Sequence, residues 1–406
     1  MKEKLSIQAW ISFGITSIFS LMQFFLQVST DLMAKDLMQS FHIEEGKVGL
    51  LTSAFFWAYL AVQIPAGLLI DKFRLRNVLI AASAFLAIGC LLFALSGNYS
   101  LALASRFIMG LGAGFGFIGM LSAIGEWFPA KIFPLMLGIG ELVGMVGTSA
   151  GQVIAPHFVI DNGWRSLMIL LAIVTAIISL SMIFFLKNKG NSNGNNHITI
   201  SNLKNYLSSI AKKKSIWAAG LFACGGFSII TVFVDVWGVP FLENVYGYSY
   251  LQSTSCMAYI LAGVAIGGPI LGWIGGKTGQ IRRTMGIGGF TSLVLLILIL
   301  THLDIEIHIF RIMFFLIGMG CSAYLLPFTL VGQNIEGDQK GTGIAFANTL
   351  SLVGAILLQP IIGTVIASMN DTSSNYDAYT TAIWILPLFI FIAMLSVFWT
   401  KEKKHI

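Results

Sequence analysis

Residues 67–76 read GLLIDKFRLR, a short charged turn between two long apolar runs. Gly67 lets two helices come close, Asp71 follows four residues later, and Lys72, Arg74 and Arg76 crowd a loop too short to be a domain. A second copy lies 205 residues on. GWIGGKTGQIRR, Gly272 to Arg283, sets Gly272 and Lys277 at the positions of Gly67 and Lys72, with Gly276 where the first copy has Asp71. The same offset relates Arg106 to Arg311, each opening an apolar helix after a short polar segment, and Gly138 to Gly343. One period shared by independent pairs indicates a duplicated half, the arrangement in which many carriers place a binding site at the interface of the repeats.

The chain around these turns is 56% hydrophobic and 10% charged, with 43 glycines, a balance that excludes an ordinary water-soluble protein. Apolar runs of about 20 residues, each long enough to cross the hydrocarbon layer as a helix, recur twelve times. They cover 8–34, 46–70, 77–97, 100–125, 134–157 and 165–187, then 215–243, 252–275, 284–303, 308–331, 340–368 and 379–399. The ten-residue alternation of a membrane β-barrel is absent. Between the sixth and seventh runs lies KNKGNSNGNNHITISNLKNYLSSIAKKK, polar, rich in Gly and Asn, and basic at both ends. It divides the chain into an N-terminal half (1–187), a linker (188–214) and a C-terminal half (215–406). Within it, 201–211 can form a short amphipathic helix on the membrane surface.

The net charge of +6 reads as a topology signal, not as a nucleic-acid patch, because the basic residues flank the apolar runs. Placing both termini, the linker and the even-numbered loops on one side gathers 19 of the 24 basic residues there and leaves Lys35, Lys47, Arg106, Arg165 and Arg311; that side is the cytoplasm. MKEKLSIQAW has no small-residue cleavage site, so the first run is expected to remain as a helix. Cys90, Cys224, Cys256 and Cys321 lie inside apolar runs without paired spacing, which points to packing and neither to disulfides nor to a metal. No P-loop, ligand-spaced His/Cys/Asp cluster or nucleophile elbow occurs, so no cofactor, metal or enzymatic chemistry is expected. Uphill transport would then draw on an ion gradient.

Charges inside spans are costly and become functional candidates. Asp31 sits two-thirds along the first run with Lys35 one turn later, Arg106 opens the fourth, Glu141 lies within the fifth, and Asp235 (FVDVWGVPF) sits two-thirds along the seventh. A one-residue shift of the repeat makes Asp31 and Asp235 equivalent. Asp235 is suited to carry a proton or face a substrate amine, with the Trp237 π-face beside it. Each has a plainer reading: a static Asp31–Lys35–Arg106 pairing, an aspartate at a wet helix end, and a protonated Glu141 bonded to a neighbouring helix. Gln27, Tyr59, Tyr324 and Asn348 either line a cavity or bond helices to each other.

GLLIDKFRLR resembles the signature loop between the second and third helices of the major facilitator superfamily, G-x-x-x-D-K/R-x-G-R-K/R. Gly67, Asp71, Lys72 and Arg76 match, while Arg74 and Leu75 replace the inner glycine and the first arginine. SRFIMGLGAGFGFIGM resembles the family's fourth-helix pattern, an arginine followed by glycines that allow close contact. The resemblance implies an all-α membrane protein of twelve helices in two pseudo-symmetric six-helix halves, a monomer in the bacterial inner membrane. It makes Gly67, Asp71, Lys72, Arg76, Gly272 and Lys277 gating-loop residues and sets Asp31, Arg106, Asp235 and Arg311 around one path, with Arg106 paired to Asp31. The expected activity is proton-coupled uptake of a small polar metabolite, such as an amino acid, short peptide or organic anion. Asp31, Asp235 and Glu141 would handle the proton, and Arg106, Arg311 and Lys35 would attract anionic groups. Gln27, Tyr59, Trp237, Tyr324 and Asn348 would complete the substrate site. A proton-driven drug or metabolite exporter is the same-class alternative, disfavoured because exporters usually carry Gly-Pro in the fifth helix where Met145 follows Gly144 here. A non-transporting membrane sensor is the different-class alternative.

Overall fold

The computed structural model describes residues 5–189, 207–303, 305–335, 339–370, 374–400 and 402, and no strand occurs among them. Twelve helices in the described residues are long and apolar enough to cross a membrane. They are Ile7–Thr30, Lys47–Lys72, Leu75–Ala94, Tyr99–Trp127, Phe133–Asn162, Trp164–Phe185, Lys214–Tyr246, Tyr250–Thr278, Ile281–Leu300, Ile307–Asn334, Lys340–Met369 and Asn375–Trp399, numbered below as spans one to twelve. Most of the proposed linker and surface helix falls outside the described residues; 207–211 is helical. Phe85, Ile88, Phe290 and Phe398 point outward and exposed, a surface suited to lipid and not to water.

The repeat extends to the places where helices deviate. Pro65 and Pro269 lie inside the second and eighth spans, Pro156 and Pro360 inside the fifth and eleventh, each pair 204 residues apart. A proline removes a ladder hydrogen bond and favours a bend in a helix, and both halves carry one at the same two places. The fourth span is broken between Ala113 and Gly116. The tenth passes through a 3₁₀ turn at Ser322–Leu325, and the seventh through a π-helical segment at Ile229–Trp237. The first helix ends at Leu32 and a turn at Met33 leads into a separate helix, Ala34–Phe41. Lys35 is exposed on that second helix.

Two compact units are present: Met1–Pro129 with Val143–Leu203 and Gly337–Ala345, and Ala130–Leu142 with Lys204–Glu336 and Phe346–Ile406. In the first unit, Gly110 faces the Phe55 carbonyl of the second span, and Gly112 sits where a Cβ would come within 2.6 Å of the Ala82 oxygen of the third. In the second unit, Gly263 and Gly318 bring the eighth and tenth spans together, each against a carbonyl of the other. Between lipid-embedded helices such contact replaces the hydrophobic drive that water would supply.

Candidate functional site

The duplicated turn builds two different contacts. In the first copy, Asp71 caps the start of the eleventh span: Gly341 N donates to Oδ1 at 2.8 Å, and Thr342 N donates to Oδ2 at 2.7 Å, joined by the Thr342 hydroxyl. A carboxylate there satisfies helix donors that lack partners and meets the positive end of the helix dipole. Gly67 makes the approach possible, since a Cβ would lie 2.6 Å from the Gly341 oxygen. In the second copy the carboxylate is gone and backbone meets backbone. A Cβ on Gly272 would strike the Pro134 carbonyl, one on Gly276 the Lys131 carbonyl, and one on Gly138 the Gly268 carbonyl. Glycine at position 276, where the first copy carries Asp71, thus has a steric cause.

The basic residues of the turns repeat more faithfully. Arg76 donates to the carbonyls of Met182 and Ile183 at the end of the sixth span, and Arg282 donates to the Phe398 carbonyl at the end of the twelfth. Cations at helix C-termini complete carbonyls that the ladder leaves open. Asn188 accepts from Arg76 N and Glu402 from Ile281 N, so the residues just past the sixth and twelfth spans cap the third and ninth in return. Lys72 lies over the Phe73 ring and Lys277 over the Trp273 ring.

Arg106 is fully buried. Its Nε donates to the Leu51 carbonyl at 3.3 Å, its Nη1 to the Leu26 carbonyl at 3.2 Å, and its guanidinium lies 4.6 Å from the Phe55 ring centroid. Asp31 belongs to the first helix, but its side chain lies outside what is described. Arg311, half-buried, donates Nε and Nη2 to Ser255 Oγ at 3.2 and 3.1 Å and lies 6.0 Å from the Tyr259 ring centroid. Leu51 and Ser255, like Phe55 and Tyr259, are 204 residues apart. The two arginines therefore use the same neighbouring positions in each repeat, one buried and one reachable.

Close to Arg106, Phe55 stacks with Tyr59 at a centroid distance of 6.4 Å. The Tyr59 hydroxyl accepts from Gln23 Nε2 at 3.3 Å, and Gln23 Oε1 accepts from Phe117 N at 3.0 Å. Gln23 thus ties the first span to the second and to the start of the helix after the break in the fourth. The sequence reading singled out Gln27, which is only half-buried, and missed Gln23; both are amides in one apolar run.

Glu141 is 1% exposed. Its Oε1 accepts from the Tyr324 hydroxyl at 2.6 Å, while Oε2 has no hydrogen-bond partner among the described residues. The Tyr324 ring packs on Phe227 at 5.2 Å. A carboxyl group so placed is one whose proton uptake and release alter the cost of burying it. Asp235 is exposed within the π-helical segment. That segment is held by Gln359, whose Nε2 donates to the Thr231 carbonyl at 2.7 Å and whose own carbonyl accepts from Trp237 Nε1 at 3.3 Å. Wide turns of this kind recur at functional positions. Asn348 is buried, and its carbonyl accepts from Ser351 Oγ. The structure thus joins Arg106 with Tyr59 through Phe55, and Glu141 with Tyr324, while Trp237 is committed to the eleventh span.

Twelve repeated spans, with one arginine and one glutamate buried among them, define a polytopic membrane protein. The family model described as Major Facilitator Superfamily matches residues 11–358. The chain belongs to that superfamily of secondary transporters. It is 23% identical to a probable sulfoacetate transporter of Cupriavidus necator, over 98% of this chain and 93% of that one. It is 22% identical to a gentisate transporter of Corynebacterium glutamicum, over 91% and 83%. A cis,cis-muconate transport protein of Acinetobacter baylyi is 24% identical, over 90% and 88%. Among solved structures, the superfamily transporter FucP in its outward conformation superposes with a TM-score of 0.77 at 17% identity, covering 96% of this chain and all of that one.

Proposed function

We infer that the protein carries a small organic anion inward across the bacterial inner membrane by alternating access, coupled to protons moving the same way. The observation that carries the coupling is Glu141, a buried carboxyl with one hydroxyl donor and a second oxygen unpartnered among the described residues. Proton binding there neutralises a charge that the membrane interior penalises, and Tyr324 moves with the group it is bonded to. Support for an anion as substrate comes from the full-length similarity to three carriers named for organic acids. It comes also from guanidinium groups at Arg106 and Arg311, whose planar forks suit carboxylate or sulfonate oxygens. Asp31 and Asp235 are the further acidic positions in this reading, the first as partner of Arg106.

The Asp71 cap on the eleventh span serves as a gate contact, formed in one state and released in another. In this reading both termini and the linker face the cytoplasm, which the distribution of basic residues supports, and the monomer is the working unit. The test is uptake of radiolabelled organic acids, amino acids and dipeptides into proteoliposomes under an imposed inward proton gradient. Concentrative uptake of an organic acid, abolished by a protonophore, is the expected result. Uptake confined to amino acids or dipeptides would remove the anion reading, and gradient-driven efflux of a lipophilic compound would replace the whole of it.

A further inference from the structure

An apolar groove with a cavity volume of about 400 Å³ runs along the second, third and fourth spans, within the size range of small-molecule sites, about 300–1,000 Å³. Its floor is made of small residues, Ala81, Ala82 and Gly112, and its walls include Leu69, Phe73 and Phe85. Phe115, next to the break in the fourth span, also lines it. Toward the turn between the second and third spans lie Phe73 and Asn77, the latter in the first turn of the third span, with Lys72 and Arg74 on either side of Phe73, and all four are exposed. Lys72 reaches back over the Phe73 ring at 5.4 Å. Arg76, in contrast, is engaged with the end of the sixth span.

We propose that this groove is a binding site for one anionic phospholipid of the cytoplasmic leaflet, with an acyl chain lying along Ala81 and Gly112 and the phosphate held by Lys72, Arg74 and Asn77. Charge complementarity selects this occupant. An apolar slot open to the hydrocarbon layer takes an acyl chain, and two exposed cations with an amide at its aqueous end take a phosphodiester. Arg74 stands where the superfamily loop pattern has glycine, so the second cation is a departure from that pattern. The lipid would pack against the break in the fourth span and beside the turn that carries Asp71. Occupancy at the groove would then bias the Asp71 contact without touching the transport path. This site is independent of what the protein carries.

The experiment is native mass spectrometry and thermal unfolding of the full chain in detergent with added phosphatidylglycerol, phosphatidylcholine or soluble glycerol phosphate. Phosphatidylglycerol is expected to form a one-to-one adduct and raise the unfolding temperature more than the other two. Arg74→Glu reverses one surface cation, a change of two charge units, and should weaken the phosphatidylglycerol adduct by about thirty-fold at roughly five-fold per unit, leaving phosphatidylcholine unaffected. Ala81→Trp fills the floor from an exposed position and should remove the adduct of either lipid. If Ala81→Trp does not fold, Arg74→Glu alone decides. Equal stabilisation by the two lipids, an adduct indifferent to Arg74→Glu, or the same effect from glycerol phosphate would each overturn the proposal.

Discussion

Asp71→Asn is the perturbation that reads the proposed gate contact most closely. The wild-type carboxylate accepts from two main-chain N–H groups at 2.8 and 2.7 Å and from the Thr342 hydroxyl. The amide keeps one carbonyl acceptor and turns its NH₂ donor toward the other N–H. Exchanging a charge-assisted for a neutral hydrogen bond costs about 1 kcal/mol, and setting a donor against a part-buried N–H costs about 1–3 more. The site is only part-buried, so the low end applies, about 2 kcal/mol in all, or about thirty-fold in the equilibrium for opening. Gly341 and Thr342 open their helix and have no ladder acceptor for these N–H groups, so their own amides report the event. Hydrogen–deuterium exchange followed by mass spectrometry on peptides covering 340–350 should show protection at the first two amides falling by about that factor. Thr342→Val removes only the hydroxyl bond and should cost about 1 kcal/mol, about five-fold. The two changes together should fall short of their sum because they share one carboxylate. Unchanged exchange in Asp71→Asn would refute the assignment of this contact as a gate.

Glu141→Gln should abolish concentrative uptake while leaving counterflow under equal substrate on both sides, as measured with radiolabel; intact accumulation would remove Glu141 from coupling. Tyr324→Phe should impair uptake less than Glu141→Gln, because it strips the donor and keeps the acid; an equal loss would mean that the tyrosine itself is essential. Arg106→Lys should retain part of the uptake that Arg106→Ala loses, since an ammonium keeps the charge but not the two-directional reach to Leu26 and Leu51. Identical losses would mean that the planar fork is required. Arg76→Ala and Arg282→Ala should each lower thermal stability by about 1 kcal/mol through the uncapped ends of the sixth and twelfth spans, and an effect confined to one of them would break the symmetry argued for the turns.

The fold was legible because lipid imposes simple rules: every span must be helical and long enough, and a duplicated turn repeats at a readable offset. The second copy of that turn was less legible in function. Gly276 looks like a decayed aspartate until the Lys131 carbonyl is seen to occupy the space a side chain would need. The partners of Asp71 and Glu141 lie 270 and 183 residues away, and no local pattern encodes such pairings. Gln23 and Gln27 sit one turn apart in the same apolar run, so periodicity alone does not say which one reaches the break in the fourth span. The turn at Met33 that separates Lys35 from Asp31 carries neither glycine nor proline, and the π-helical stretch around Asp235 is equally unmarked. By contrast, the buried arginine at 106 and the glycines that follow it stood out, since charge and missing side chains are both expensive in a membrane span unless they serve contact or function.

The measurement closest to the central claim is lumenal pH in proteoliposomes as organic acids are added outside one at a time, with protein-free vesicles correcting for passive entry of the neutral acid. Coupled uptake predicts protein-dependent acidification that saturates with one class of organic anion and is lost in Glu141→Gln. Saturable flux of the same anion without any change in lumenal pH, or with alkalinisation, would contradict it.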